Sequence, residues 1–410
     1  MGTRIIFLLI FLIGLDAYSY QWLRQINSSF SPGWKIFCSV FFWLGSSITL
    51  FLLIFSLAGL STKLPGSVLT YLRAFAFITY FAKFVSLPIL LIDDIRRSAG
   101  HWIKMISPTY EFNPSRSKFL STIGAFIAGI PFLTLFYGMA RNAYRYQIRR
   151  IKVPVKNLPS EFEGLRIVQI SDIHSGSFTA TSPILKSIAM VKSLNPDLLF
   201  FTGDLVNFAA TEVIPYKEIF AQMKGKYGSY SIFGNHDYGD YFQWESAEKK
   251  HQNLEDLKTH HADIGWKLML NQHDVITING KNLCVIGVEN FSASRRFSKY
   301  GSLAKAYEGT PDDTIKLLLS HDPSHWHYEV TKSYKDIALT LSGHTHGFQF
   351  GIEIPGYFRW SPSQYVYKEW AGLYKEGDQH LYVNRGFGFL AYPGRVGILP
   401  EITLLELTSA

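Results

Sequence analysis

Five short segments of this 410-residue chain combine residue types that hold metal ions or move protons. They are Asp172-Ile173-His174, Gly203-Asp204, Gly234-Asn235-His236-Asp237, His321-Asp322 and Gly343-His344-Thr345-His346. Mixed carboxylate, imidazole and amide side chains suit Mn, Fe or Zn better than the all-oxygen cages of Mg or Ca. Each fragment alone carries little weight, because an Asp-x-His or a Gly-Asp arises readily by chance and a lone His is usually a surface or core residue. Their placement carries more. Each directly follows a short apolar, β-rich run, at 165–170, 198–202, 230–233, 315–319 and 337–341. Ligands set at the ends of neighbouring strands converge on one sheet edge, where a rigid scaffold can hold their geometry. Further runs at 283–288, 380–383 and 401–407 read as strands, and 183–194, 213–223 and 244–263 read as helices.

In this order the segments resemble the signature of the calcineurin-like metallophosphoesterase superfamily: D-x-H, G-D, G-N-H-D/E, H and G-H-x-H. The resemblance covers about residues 151–407. It is closest to the membrane-attached bacterial branch, through the Gly-rich loop Asn384-Arg385-Gly386-Phe387-Gly388 and the terminal Pro400-Glu401-Ile402. It implies an α/β fold, a four-layer α/β/β/α sandwich, with two divalent metal ions. One ion would be held by Asp172, His174 and His346, the other by Asn235, His321 and His344, with Asp204 bridging them. A water shared by two dications loses a proton near neutral pH and attacks phosphorus in line. His236 would then be the non-ligating catalytic residue that donates a proton or hydrogen bond to the leaving group. Asp237 is a candidate to fix the imidazole tautomer of His236, or else an exposed turn acid. Arg385 is a candidate phosphate contact. Gly347-Phe348 departs from the family, where a second glycine is usual, and a bulky ring there narrows the pocket rim. His251, His260 and His261 fall in a polar helical stretch and read as solvated. His325 and His327 read as surface, packing or cleft-lining residues.

The elements ahead of this domain are of another kind. Apolar stretches near 4–23, 36–60, 68–92 and 119–140 each approach the ~20 residues a membrane helix needs. Asp16, Arg73 and Lys83 are their interior charges, with Asp16 expected close to one interface and Arg73 and Lys83 expected to snorkel or to pair within the bundle. The first stretch lacks a small-x-small cleavage site and reads as a retained span. The expected domains are therefore a transmembrane helical region, 1–150, and a phosphoesterase domain, 151–410. The 93–118 segment, with Trp102, Ile103, Met105 and Ile106, reads as a loop lying along the interface. Residues 1–150 hold 15 Lys/Arg against 4 Asp/Glu, so the chain's net +8 comes from this part and the remainder is slightly acidic. Nucleic-acid binding by the C-terminal part is not expected, and the basic flanks suit a membrane surface. Twelve of the 13 histidines follow residue 150, which suits a metal domain. Cys38 and Cys284 lie in apolar runs without a second thiol nearby and read as small buried hydrophobes.

The expected function is a membrane-anchored, metal-dependent phosphoesterase acting on a phosphomonoester or phosphodiester, with a lipid-linked substrate the first to test. The alternative is a non-catalytic membrane scaffold or signalling protein, which a missing ligand would favour, and none is missing. A transporter is disfavoured by the few intramembrane charges and the lack of a repeat. The basic run Arg141, Arg145, Arg149, Arg150, Lys152 and Lys156 favours a cytoplasmic catalytic domain at the cell (inner) membrane.

Overall fold

Runs of Phe, Leu, Ile and Val too long for a strand can satisfy their backbone in lipid only as helices. The computed structural model describes residues 2–60, 63–107, 109, 114–354 and 356–410. Among the described residues four helices are long and apolar enough to cross a membrane: α1 (Gly2–Ile26), α2 (Pro32–Leu57), α3 (Gly66–Ile106) and α4 (Pro114–Ala140). Inside this bundle Lys83 Nζ lies 2.7 Å from Asp16 Oδ1 and 2.9 Å from Ser46 Oγ, and the Tyr80 hydroxyl donates to Asp16 at 2.7 Å. The two charges are thus paired rather than left bare among apolar side chains.

The loop expected from residue 93 is instead helix as far as Ile106. After Pro88 no second proline interrupts α3. Asp93 also pairs with Arg96 at 3.0 Å and Arg97 at 3.3 Å, one turn on, which supports helix where the apolar run ends.

The chain divides into two compact units, Met1–Tyr137 and Gly138–Ala410. The second contains two six-stranded sheets. The first sheet runs β1-β14-β2-β3-β4-β5, from β1 (Gln147–Val155), β2 (Arg166–Ile170), β3 (Leu198–Phe201), β4 (Gly228–Ser231), β5 (Lys267–Leu268) and β14 (Glu401–Ser409). The other runs β12-β13-β9-β8-β7-β6, from β6 (Gln272–Ile278), β7 (Lys281–Gly287), β8 (Ile315–Leu319), β9 (Ile337–Ser342), β12 (Gly372–Glu376) and β13 (Gln379–Val383). A two-stranded hairpin, β10 (Ile352–Ile354) and β11 (Phe358–Trp360), stands apart from both.

Strand alternation builds the layers. Ile167, Leu198 and Phe200 of the first sheet pack with Leu283, Val285, Leu317 and Leu319 of the other in one central core. The intervening Val168, Leu199 and Phe201 face outward onto Ile188, Phe220 and Leu257 of covering helices. Cys284, Ile286 and Leu318 face the opposite way, onto Leu303 and Trp326. The result is a four-layer α/β/β/α sandwich. Strands β2, β3 and β4 are parallel, as are β7, β8 and β9, so each group ends at a common edge.

Strand β1 had not been foreseen. The run read as a basic flank becomes an edge strand parallel to β14, with Gln147 beside Glu401. Its charge is partly consumed inside the domain, since Arg149 Nη2 lies 2.6 Å from Glu353 Oε2.

Candidate metal centre

The loops after β2, β3, β4, β8 and β9 carry every ligand expected from the sequence. Asp172, His174, Asp204, His344 and His346 all have positive φ, between 48° and 71°. Left-handed backbone at non-glycine residues is costly and gathers at sites where the surroundings enforce it. The motif glycines permit the close approach: a Cβ on Gly234 would lie 2.3 Å from Asp204 Oδ1.

Two clusters result. Asp172, His174 and His346 place ligand atoms within 4.8 Å of one another, and so do Asp204, His321 and His344. His174 Nε2 lies 3.0 Å from His346 Nε2, which is 3.3 Å from Asp172 Oδ1. Asp204 joins the clusters: its Oδ2 is 3.6 Å from His174 Nε2 and 3.2 Å from His321 Nε2. Asn235 Oδ1 lies 2.8 Å from His344 Nδ1. Backbone donors hold the carboxylates in place. The His344 N–H reaches both Asp172 oxygens at 3.0 Å, and the His236 N–H donates to Asp204 Oδ1 at 2.8 Å.

The donor set fits a pair of dications. His321 Nδ1 is 2.7 Å from the Thr202 carbonyl oxygen, which accepts that nitrogen's N–H and leaves Nε2 facing Asp204. That Nε2, like His174 Nδ1, is buried without a hydrogen bond of its own. Electrostatics agree. Burial alone would lower the His321 pKa, but Asp204 and Asp172 outweigh it and push it up to about 10. Burial raises the Asp204 pKa, yet His321 and His236 together bring it well below the usual carboxylate range. Burial lowers the His174 pKa well below the usual histidine range, with Asp204 opposing it. Carboxylates thus face imidazoles with little solvent between, an arrangement that favours a cation.

His236 stands beside the clusters. Its Nδ1 lies 2.9 Å from the Asn207 carbonyl oxygen, and its ring meets His174 edge-on at 4.9 Å between centroids. Asn207, not Asp237, therefore sets the tautomer. Asp237 is fully buried and accepts N–H bonds from Asp204, Leu205 and Gly234 at 2.8 Å and from Val206 at 3.3 Å, which clamps the β3 and β4 loops together. Burial and the nearby Asp204 push its pKa up to about 7 against those bonds.

Arg385 is also not the free phosphate contact that its Gly-rich loop suggested. It is buried, with Glu401 at 2.6 Å and Glu353 at 2.7 Å, so its charge is already matched. His261, expected to be solvated, is fully buried, with Nδ1 2.8 Å from Ser231 Oγ and its ring among Phe201, Phe233 and Trp266. His325 is enclosed between Ser320 and Glu329, and His327 bonds Glu369 at the surface.

Several contributors lay outside the motifs. The Tyr367 hydroxyl is 2.7 Å from His344 Nε2, and Asn235 Nδ2 donates to the Tyr241 hydroxyl at 3.0 Å. Arg395, fully buried, donates to the carbonyls of Arg385, His346 and Gly386 and lies 3.3 Å from His346 Nδ1. Only Tyr241 lies near a motif, so spacing offered no signal for Tyr367 or Arg395.

Residues 165–348 match the family model described as calcineurin-like phosphoesterase, and residues 3–143 match the probable calcineurin-like phosphoesterase transmembrane domain. A zebrafish transmembrane protein with metallophosphoesterase domain is 31% identical over 67% of this chain and 60% of its own length. The chain thus spans about three fifths of that relative. The Bacillus subtilis metallophosphoesterase YkuE is 29% identical over 72% of this chain and 98% of itself. The Escherichia coli phosphodiesterase YaeI is 28% identical over 59% of this chain and 82% of itself.

Proposed function

This chain belongs to the calcineurin-like metallophosphoesterases, joined to their four-helix transmembrane domain, and from that premise we propose that it hydrolyses phosphomonoesters or phosphodiesters at a membrane. One observation carries the reading: Asp204 stands between His174 and His321 and so joins the two clusters. In this reading Asp172, His174 and His346 would hold one dication and Asn235, His321 and His344 the other, with Asp204 available to both. The mixed nitrogen and oxygen donors favour Mn, Fe or Zn. The chemistry that bound dications supply is Lewis acidity, which activates water near neutral pH and draws charge from the phosphoryl oxygens.

The remaining work falls to the chain's own groups. His236 commits Nδ1 to Asn207, so its Nε2 is the atom left to exchange a proton with the leaving-group oxygen. Asp237 ties the backbone of Asp204 to that of Gly234, the residue before Asn235, through their N–H groups. Phe348, exposed two residues after His346, gives the rim an apolar side. That rim and the membrane helices support a lipid-linked phosphoester as the substrate class, with no role for nucleic acid. The name of the E. coli relative supports a diester. Arg141 and Arg145, directly after α4, support a cytoplasmic catalytic domain at the cell membrane.

The test is turnover of lipid phosphoesters and of bis-p-nitrophenyl phosphate by the purified chain with Mn, Zn or Fe. Hydrolysis that a chelator abolishes is expected. A metal-loaded chain that turns over neither substrate would leave the scaffold reading in its place.

A further inference from the structure

Strand β10 of the hairpin inverts the usual pattern of an exposed strand, while Arg359 of β11, opposite Glu353, stays exposed. In a half-buried strand the charges face water. Here Glu353 turns inward to Arg149 and Arg385, while its neighbours Ile352 and Ile354 are more than half exposed. The tip continues with Tyr357, 91% exposed, and Phe358, 53% exposed. Phe348 and Val366, 62% and 70% exposed, flank the hairpin on either side in sequence. Large apolar side chains clustered on one exposed segment mark an interaction surface.

Two sets of contacts say what that surface meets. One set ties it to the metal centre: Ser361 Oγ donates to the Gly347 carbonyl at 2.7 Å, and Tyr367, one residue past Val366, touches His344. The other ties the root of the hairpin to the end of the last membrane helix. Gly351 N–H donates to the Val396 carbonyl and Val396 N–H to Gln349, each at 2.8 Å, while Arg395 N–H donates to the Gly138 carbonyl at 3.2 Å. Gly138 is the third residue from the end of α4, and a Cβ there would lie 2.7 Å from Val396 Cγ2. Gly138 itself belongs to the apolar span Arg116–Ala140, so the root touches a residue of a segment long and apolar enough to cross a membrane.

We propose that the face formed by the β10–β11 hairpin with Phe348 and Val366 docks on the bilayer surface, seating Tyr357 and Phe358 at the boundary between headgroups and acyl chains. Tyr and Phe on a short amphipathic element are the side chains that settle at that boundary. The docking draws on membrane residence alone. Its consequence, a metal centre whose rim meets lipid, rests on the proposed function.

The test uses the full chain in nanodiscs and does not depend on turnover. Cys38→Ala removes one thiol, and Cys284 stays unlabelled because it is buried with its pKa pushed up to about 11. Bimane is attached at Tyr357→Cys, Val366→Cys or Lys281→Cys, the last at the exposed start of β7, remote from the strand ends that carry the site. With lipids brominated high on the acyl chain, emission at 357 and 366 should fall by about half or more, and at 281 stay unchanged. Quenching at 357 and 366 no greater than at 281, whether low or high at all three, overturns the proposal. Absent quenching accompanied by cross-linking between copies at 357 would assign the face to a second copy, and overturns it too.

Discussion

His174 and His346 face each other across the seam between the two sheets, Nε2 to Nε2 at 3.0 Å. The first follows β2 and the second follows β9, so the contact exists only when both sheets are assembled. The surrounding carboxylates Asp172 and Asp204 favour a cation there. Metal removal should therefore loosen the whole sandwich. Binding at about 100 times Kd is worth about 2.7 kcal/mol, so stripping the ions should lower the Tm of the domain by about 5–10 °C. Calorimetry with and without chelator measures this, and re-addition of Mn or Zn should restore the value.

His236→Ala should lower kcat by about 10²–10⁴ while metal content holds, because the ring makes no contact required of a ligand. Metal analysis beside steady-state kinetics separates the two roles. Loss of metal together with loss of turnover would make His236 a ligand support instead.

Arg385→Met should behave as a stability variant. It would leave Glu401 Oε2 with only the longer Arg149 contact at 3.5 Å and one oxygen of Glu353 without its partner, at a cost of about 1.5–3 kcal/mol. Denaturant unfolding should show that loss, with KM for a soluble phosphoester unchanged in the folded fraction. A raised KM with intact stability would return Arg385 to the substrate.

His261 should confer acid sensitivity. Burial in the fold holds its pKa down at about 3, against about 6.5 when unfolded. The neutral form favoured by the fold is fully present above pH 6.5. Below that the unfolded chain gains the proton first, so stability is lost as pH falls toward 3, by about 2 kcal/mol at pH 5. His261→Gln should flatten the slope between pH 7 and pH 5 in thermal unfolding, whatever it costs at pH 7.

Those last two variants mark where reading the chain alone fell short. The ligands were legible because each sits at the end of an apolar run, and a strand end is a local feature. His261 was not, because the helix Ala247–Ile264 is polar overall and only contact with Phe201 and Trp266 selects its buried face. Arg385 sits in the right loop, but its partner Glu353 lies on a hairpin that no periodicity announced. Strand β1 was hidden by Arg150 and Lys152, which an edge strand can carry exposed, and by Arg149, whose partner Glu353 lies on that same hairpin. The Asp237 clamp spends its carboxylate on backbone N–H groups, which composition cannot show. The membrane helices were legible from length and apolarity, except that ion pairs one turn apart extend α3 beyond its apolar run.

The most direct measurement is the metal content of the purified chain and of Asp204→Ala, by elemental analysis at matched protein concentration. Near two ions per chain are expected in the first. A drop to one or none is expected in the second, since Asp204 is the only carboxylate within 4 Å of ring nitrogens from both clusters among the described residues. An Asp204→Ala chain that keeps two ions, or a parent chain that turns over phosphoester with none, would contradict the account.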